Sequence, residues 1–413
     1  MAKRRFYGWR MVGAGAAIQF LQSSLLLQSF GAYVAVLQDA RGWSKTELSF
    51  AAALHQLEAA ILGPLLGWII DRFGPHGLIR AGVLLIGAGF MLLSGIDSLA
   101  AFYGAFVVIA LGSSFCGFFP LNVSVIYWFE RQRSRALSII GLGAAVGGVA
   151  VPLVAWSLTA FGWRATAFGS GLVFILVGWP LARVMRGRPV LYGEHVDGEP
   201  PAATPSKLPA LAAAKAARDF TAREALRTPA FWLLSLGHGF ALFVVTAVNV
   251  HAITHMKEGL GYPVATAALY IMLMTLAQIA GITAGATLGD RYDKRLICAA
   301  CMVMHMAGLL ALTYATGVPM LVAFALLHGL AWGLRGPFMQ AIRAEYFGVS
   351  AIGMILGLSF MIIVVGQIGG PLIAGGLADL TGNYRAGFTV LALLAGVGSL
   401  FFLLARKPAR PRG

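Results

Sequence analysis

Two charged side chains fall deep inside apolar stretches of this 413-residue chain, Arg335 and Glu58. A charge at the middle of a bilayer costs on the order of 2.5–3.5 kcal/mol by insertion scales unless it is paired or wet, so each is a functional candidate. Arg335 lies in His328-Gly329-Leu330-Ala331-Trp332-Gly333-Leu334-Arg335-Gly336-Pro337, where Gly333 and Gly336 leave the guanidinium room. A guanidinium stays ionised and grips a carboxylate through two parallel hydrogen bonds, the chemistry of an anion anchor. The alternative is a structural pairing with Glu58 or with carbonyls at a helix end. Glu58 follows His55 by three residues, which puts both on one helix face. Burial favours the neutral form of a carboxyl, so Glu58, with His55, is read as a proton-coupling group; the alternative is a neutral, hydrogen-bonded packing residue.

Weaker candidates surround these two. The stretch 10–37 carries Gln19, Gln22, Ser23, Gln28 and Ser29, and Gln19, Gln22 and Ser29 fall roughly on one stripe, as cavity-facing residues do. Asn122, Tyr127, His238, Asn249 and Trp332 complete the set of candidate substrate contacts; the uncharged polar ones are equally suited to interhelical hydrogen bonds. His251 and His255 have the spacing of a metal pair, but Glu258 is their only near carboxylate, and no metal site is expected. Cys116, Cys298 and Cys301 read as buried free thiols, since the Cys298–Cys301 spacing has no second pair to complete a metal site. With no nucleophile–base set and no nucleotide loop, neither enzyme activity nor a cofactor is expected.

These residues need membrane helices to hold them. The chain is 59% hydrophobic and 11% charged, against about 25% charged in soluble proteins. Twelve apolar runs, at roughly 10–37, 46–70, 78–97, 100–128, 136–160, 164–185, 229–255, 264–288, 296–315, 318–341, 350–378 and 386–405, are about 20 residues or longer, enough to span a bilayer as helices. They are continuous rather than alternating, which excludes barrel strands. The first run is too long for the apolar region of a signal peptide, so no cleaved leader is expected.

The net charge of +15 has a topological explanation and does not call for nucleic acid. An even number of spans puts both termini on one side, and that side collects Lys3, Arg4, Arg5, Arg10, Arg72, Arg80, Arg131, Arg133, Arg135, Arg291, Lys294, Arg295, Arg343, Arg406, Lys407, Arg410 and Arg412. The other side has Arg41, Lys45, Arg164, Lys257 and Arg385. A seventeen-to-five bias, before the central loop is counted, places both termini and that loop in the cytoplasm, and the chain is expected in the inner (plasma) membrane.

Residues 189–222, rich in Pro, Ala and charge, read as a cytoplasmic linker between a half at 1–188 and a half at 223–413. The halves repeat at a constant offset of 219: Gly42-Trp43-Ser44 matches Gly261-Tyr262-Pro263, Asp71-Arg72 matches Asp290-Arg291, Gly117 and Tyr127 match Gly336 and Tyr346, and Gly147 and Pro152 match Gly366 and Pro371. This is a parallel repeat about an axis along the membrane normal. Glycines cluster at 143–148 and 353–370; small residues let helices approach and slide, as two rocking halves require, and also serve packing alone.

Gly67-Trp68-Ile69-Ile70-Asp71-Arg72-Phe73-Gly74 resembles the G-x-x-x-D-R-x-G loop of the major facilitator superfamily, and Gly285 to Arg295 is a second, looser copy with Asp293 in place of the last glycine. The resemblance implies an all-α fold of twelve transmembrane helices in two six-helix bundles, and gating roles for Asp71, Arg72, Asp290 and Arg291, since a carboxylate at a helix end can hold a partner in one state and release it in the other. Tyr7-Gly8-Trp9, Gly42 to Leu48, and Gly382-Asn383-Tyr384-Arg385 with Phe388 are similar to the monocarboxylate and oxalate/formate branch. That branch implies a small anionic substrate moved with protons or against a counter-anion; efflux of amphipathic compounds on the same fold is the alternative. The branch's usual eighth-helix arginine is missing, because 264–288 contains no Arg or Lys; Arg335, on a helix that the superfamily places at the cavity, takes its role in this reading. A monomer in the lipid bilayer is expected. In a cysteine-free background, Asp97→Cys and Leu380→Cys are expected to label from outside with an impermeant maleimide and Pro205→Cys not; the reverse pattern would overturn this topology.

Overall fold

A computed structural model describes residues 6–43, 45–199, 218–262 and 264–411. The chain divides into two compact units, Met1–Pro205 and Ser206–Gly413. In the first, α1 runs in pieces through Gly8–Gln22, a π turn Ser23–Leu27 and Phe30–Arg41; α2 is Lys45–Phe73; α3 is Pro75–Ser94; α4 is Leu99–Trp128; α5 is Arg133–Ala160; α6 comprises Gly162–Val173, Phe174–Gly178 and Trp179–Val184. In the second, α7 is Pro229–Gly259, α8 Val264–Leu288, α9 Lys294–Thr313, α10 Val318–Phe347, α11 Ile352–Thr381 and α12 Arg385–Leu404. Ten stretches among the described residues are long and apolar enough to cross a membrane; α1 and α2 complete the twelve. There is no strand among the described residues.

The interruptions have local causes. α4 breaks at Gly117, which is extended (φ −80°, ψ −161°). α5 passes through a 3₁₀ turn at Gly147–Ala150, where two adjacent glycines weaken the α-helical preference.

Both units use one packing scheme. α1 lies on α5 as α7 on α11, α2 on α4 as α8 on α10, α3 on α6 as α9 on α12, and α3 on α4 as α9 on α10. Glycines make the closest of these contacts. A Cβ on Gly143 would fall on the Ala16 carbonyl, one on Gly147 on Ser23, one on Gly366 on the Gly239 carbonyl and one on Gly370 on the Phe243 carbonyl. These glycines of α5 and α11 therefore seat each helix on its own unit's α1 or α7. Gly329 and Gly333 of α10 likewise meet the Met274 and Gln278 carbonyls of α8.

Both described ends of the expected linker are docked rather than free. On the first unit, 3₁₀ turns at Pro189–Tyr192 and Val196–Gly198 follow α6. The Asp197 carboxylate there accepts from the Glu130 N–H (3.3 Å) and the Arg131 N–H (2.9 Å), in the loop after α4. The Trp128 indole donates to the Gly187 carbonyl at 2.6 Å, and Arg186 lies over the Tyr7 and Tyr192 rings. On the second unit, Asp219 accepts from the Val349 N–H (2.9 Å), the Ser350 N–H (3.1 Å) and the Ser350 hydroxyl (2.9 Å), in the loop after α10. A capping box of Thr221 and Glu224 then starts the short helix Ala222–Leu226.

Gly366→Ala and Gly333→Ala are each expected to lower stability by about 1–3 kcal/mol, the usual cost of overpacking. Gly376→Ala is the control, since nothing lies within 4 Å of its added methyl. Thermal unfolding in detergent reads the difference; three equal melting temperatures would refute the backbone-contact account.

Candidate functional site

Arg335 is enclosed in α10 at 1% exposure, and its Nε and Nη1 have no hydrogen-bond partner. It joins no ion pair among the described residues, and its hydrogen-bond donors are not spent on helix-end carbonyls. The close seating of Gly333 on α8 fixes the backbone on one side of it, while Gly336 on the other side has open space beyond its Cα. Cys298 and Cys301 of α9 and His238 of α7 lie within electrostatic reach. His238 is half-buried, with Nδ1 enclosed and unpartnered. Trp332 packs half-buried against the second unit's core. Asn249, farther along α7, is exposed.

Arg343 corrects the charge assignment. It reads from the sequence as a cytoplasmic cation beyond a run ending near 341, but α10 continues to Phe347 and Arg343 is 1% exposed. Its Nη1 donates to the Met339 carbonyl (2.7 Å), and its Nη2 to the Leu234 carbonyl (3.3 Å) and the Ser359 hydroxyl (2.7 Å). Ser359 in turn meets the Ser235 hydroxyl at 2.8 Å. This guanidinium is spent on tying α10 to α7 and α11. The contrast is informative: two buried arginines share one helix, one with two of its nitrogens bonded inside the unit and one with none.

His251 and His255 do not converge on a common point. The Nε2 of His251 meets the Pro371 carbonyl and that of His255 the Leu312 carbonyl, each at 3.1 Å. No group of three or more His, Cys, Asp or Glu among the described residues is placed to hold a metal. Sequence reading missed a different histidine pair, His305 of α9 and His328 of α10, both fully buried with Nδ1 atoms 3.2 Å apart. Nothing in their sequence separation of 23 residues marks them as neighbours; only the α9–α10 contact does.

In the first unit, Gln19 (1% exposed) keeps its Nε2 unpartnered and Asn122 (5%) its Oδ1. Gln22 instead donates from Nε2 to the Ser113 carbonyl and hydroxyl, tying α1 to α4. Ser29 donates to the Ser24 carbonyl and Gln28 to the Ser23 hydroxyl, so much of the polar stripe of α1 serves its own π turn. Glu58 is half-buried; its Oε2 accepts from the Ser114 hydroxyl at 2.9 Å and its Oε1 is enclosed without a partner. His55 is half-buried on the same helix.

At the repeated loops, Tyr127 donates to Asp71 Oδ1 at 3.4 Å and lies under the Arg188 guanidinium. This groups Tyr127 with the α2–α3 loop. Arg72 is exposed over the Trp68 and Phe73 rings, each at 5.5 Å. In the second copy Asp290 is half-buried and Arg291 exposed. Asp293, which stands where the first copy has glycine, caps α9 by accepting from the Arg295 N–H, and Lys294 pairs with Glu345 of α10 at 2.7 Å. At the other end of the first unit, Arg41 and Arg164 converge on Asp97. The Arg41 hydrogen bond, with Arg164 beside it, holds the Asp97 carboxyl below its usual range.

Twelve helices in two packing-equivalent units with duplicated acidic-basic loops define a secondary transporter architecture. The sequence model of the Major Facilitator Superfamily matches residues 12–254 and 234–413, and the chain belongs to that superfamily. It is 26% identical to Monocarboxylate transporter 13 of Bos taurus, over 98% of this chain and 92% of the relative. It is 25% identical to the Fujikurins efflux protein of Gibberella fujikuroi (strain CBS 195.34 / IMI 58289 / NRRL A-6831), over 86% and 72%. Among solved structures, the human organic anion transporter MFSD10 (TETRAN) aligns with a TM-score of 0.72 at 14% identity, over 97% of this chain and 100% of that one. The proton:xylose symporter XylE aligns at 0.70 and 12%, over 97% and 96%. The protein is a multi-pass membrane transporter and not an enzyme.

Proposed function

We propose that this transporter moves a small organic anion, a monocarboxylate, across the inner (plasma) membrane by alternating access, with both termini cytoplasmic and with a proton or a counter-anion as the coupled species. The observation that carries the proposal is Arg335: a buried guanidinium with no anionic partner among the described residues, in a helix whose other buried arginine is bonded. Its counterpart at the 219 offset is Cys116, so the cation belongs to one half only. Burying an unpaired charge is costly, and a substrate carboxylate offsets that cost. Gln19, Asn122 and His238 keep polar atoms uncommitted and are assigned as further substrate contacts, with Asn249, Trp332, Gln22 and Tyr127 as weaker members. The name of the bovine relative supports the substrate class. Export of amphipathic compounds is the second reading, favoured by the fungal efflux relative at nearly the same identity.

Glu58, with His55, is assigned to proton coupling because one carboxylate oxygen is enclosed and unbonded. Glu58→Gln is expected to retain anion counterflow and to lose accumulation driven by an inward proton gradient; accumulation at the wild-type level would remove Glu58 from the coupling. Asp71, Arg72, Asp290 and Arg291 are assigned to gating. Asp71→Asn and Asp290→Asn are expected to slow exchange at least severalfold while changing substrate affinity little, because they bias a conformational equilibrium. A large affinity loss with normal exchange would place them at the substrate instead.

The decisive experiment is uptake of labelled lactate, pyruvate, oxalate and formate into proteoliposomes, with and without a pH gradient, alongside calorimetry. Arg335→Ala is expected to lose about 2–5 kcal/mol of anion affinity while remaining folded. Arg335→Lys keeps the charge, loses the planar fork, and is expected to bind poorly. Normal carboxylate binding by folded Arg335→Ala would sink the anion reading in favour of efflux.

A further inference from the structure

We propose that the His305–His328 pair is a protonation site that reads whether Arg335 carries an anion. This rests on Arg335 being the anion anchor. The two imidazoles lie with Nδ1 atoms 3.2 Å apart and ring centroids 4.6 Å apart, both at 0% exposure, and each Nε2 is enclosed without a partner. A hydrogen bond between two Nδ1 atoms requires complementary tautomers: one ring has its proton on Nδ1 and donates, and the other has its proton on Nε2 and accepts. The donor ring's Nε2 is then a bare lone pair. A proton added there makes that ring an imidazolium and leaves the Nδ1–H···Nδ1 bond intact, now charge-assisted and stronger. The pair is therefore built to take one proton without repacking.

Its surroundings decide when. Among the described residues, the charged group in electrostatic reach of both rings is Arg335, two turns along α10 from His328; Cys301 stands one turn from His305 on α9. The membrane-embedded parts of α8 and α12 bring no charged residue to it. Bare Arg335 repels a second positive charge in this low-dielectric setting, and a carboxylate on Arg335 cancels that repulsion. Anion binding then favours proton binding, and by linkage the proton favours the anion by the same factor.

Packing alone does not call for histidines here. At the 219 offset, the equivalent positions of α3 and α4 are Ile86 and Ile109, both core residues. The same crossing is thus made with isoleucines in one half and a hydrogen-bonded histidine pair in the other, the half that also holds the unpaired arginine.

The first measurement needs no knowledge of the substrate. In full-length protein with 13C/15N-labelled histidine in detergent, the imidazole signals of His305 and His328 are followed against pH in wild type and in Arg335→Gln. Removing the cation is expected to move the pair's titration up by at least one pH unit; identical titration in both overturns the coupling. The second measurement is proton uptake per anion bound, with lactate, pyruvate and formate as probes. The double variant His305→Ile with His328→Ile borrows the other half's packing and is expected to fold, to bind the anion at pH 8 within about threefold of wild type, and to take up one proton fewer per anion. Wild-type proton uptake by the folded double variant overturns the proposal. Anion binding at pH 8 that survives in Arg335→Ala defeats the anchor reading separately.

Discussion

Helix backbones in this protein touch one another directly, and most other features depend on that contact. At crossings that include α1–α5, α7–α11, α8–α10, α3–α4, α3–α6 and α11–α12, a glycine on one helix meets backbone of the next, leaving no room for a methyl group. In a bilayer, water expulsion gives helices little reason to associate, so tight van der Waals seating must do so. The seating also fixes rotation: once Gly333 lies on the Gln278 carbonyl, the direction in which Arg335 leaves α10 is determined.

With rotation fixed, polar side chains divide into two groups. Gln22, Arg343, Ser235, Ser359, His251 and His255 are consumed by neighbouring helices, where each satisfies a carbonyl or hydroxyl that has no water to turn to. Arg335, Gln19, Asn122, His238, one oxygen of Glu58 and the Nε2 atoms of His305 and His328 are among those left over. The α2–α4 crossing shows the trade at a single position. Ser114 occupies the place of Gly333 and donates to Glu58, where the second unit has bare backbone contact. One half uses this crossing for packing and the other uses it to position a carboxyl group.

The twelve spans and the duplication were legible in the sequence because length, apolarity and a fixed offset are one-dimensional properties. Arg335 and Glu58 stood out for the same reason, as charges within apolar runs. Arg343 did not, because hydropathy placed the end of its helix about six residues early and so assigned an enclosed guanidinium to a loop. The spent state of Gln22 and the meeting of His305 with His328 depend on how α1 faces α4 and how α9 faces α10, and no periodicity along one chain segment encodes a partner on another. The 189–222 stretch shows the same limit: its Pro- and Ala-rich composition does not reveal that Asp197 and Asp219, near its ends, bind loop backbone.

Those two aspartates tie the joining segment to both halves. Asp197 binds the N–H groups of residues 130 and 131, and Asp219 binds those of residues 349 and 350. The four positions are related by the 219 offset, but the aspartates are not. One lies downstream of its bundle's last helix and the other upstream of its bundle's first. Each half presents the same pair of N–H groups after its fourth helix, and the joining segment supplies a carboxylate to each from its opposite ends. The pairing constrains which sequences can join two such bundles: a transporter assembled from unrelated halves would need a joining segment that carries both carboxylates in the right order.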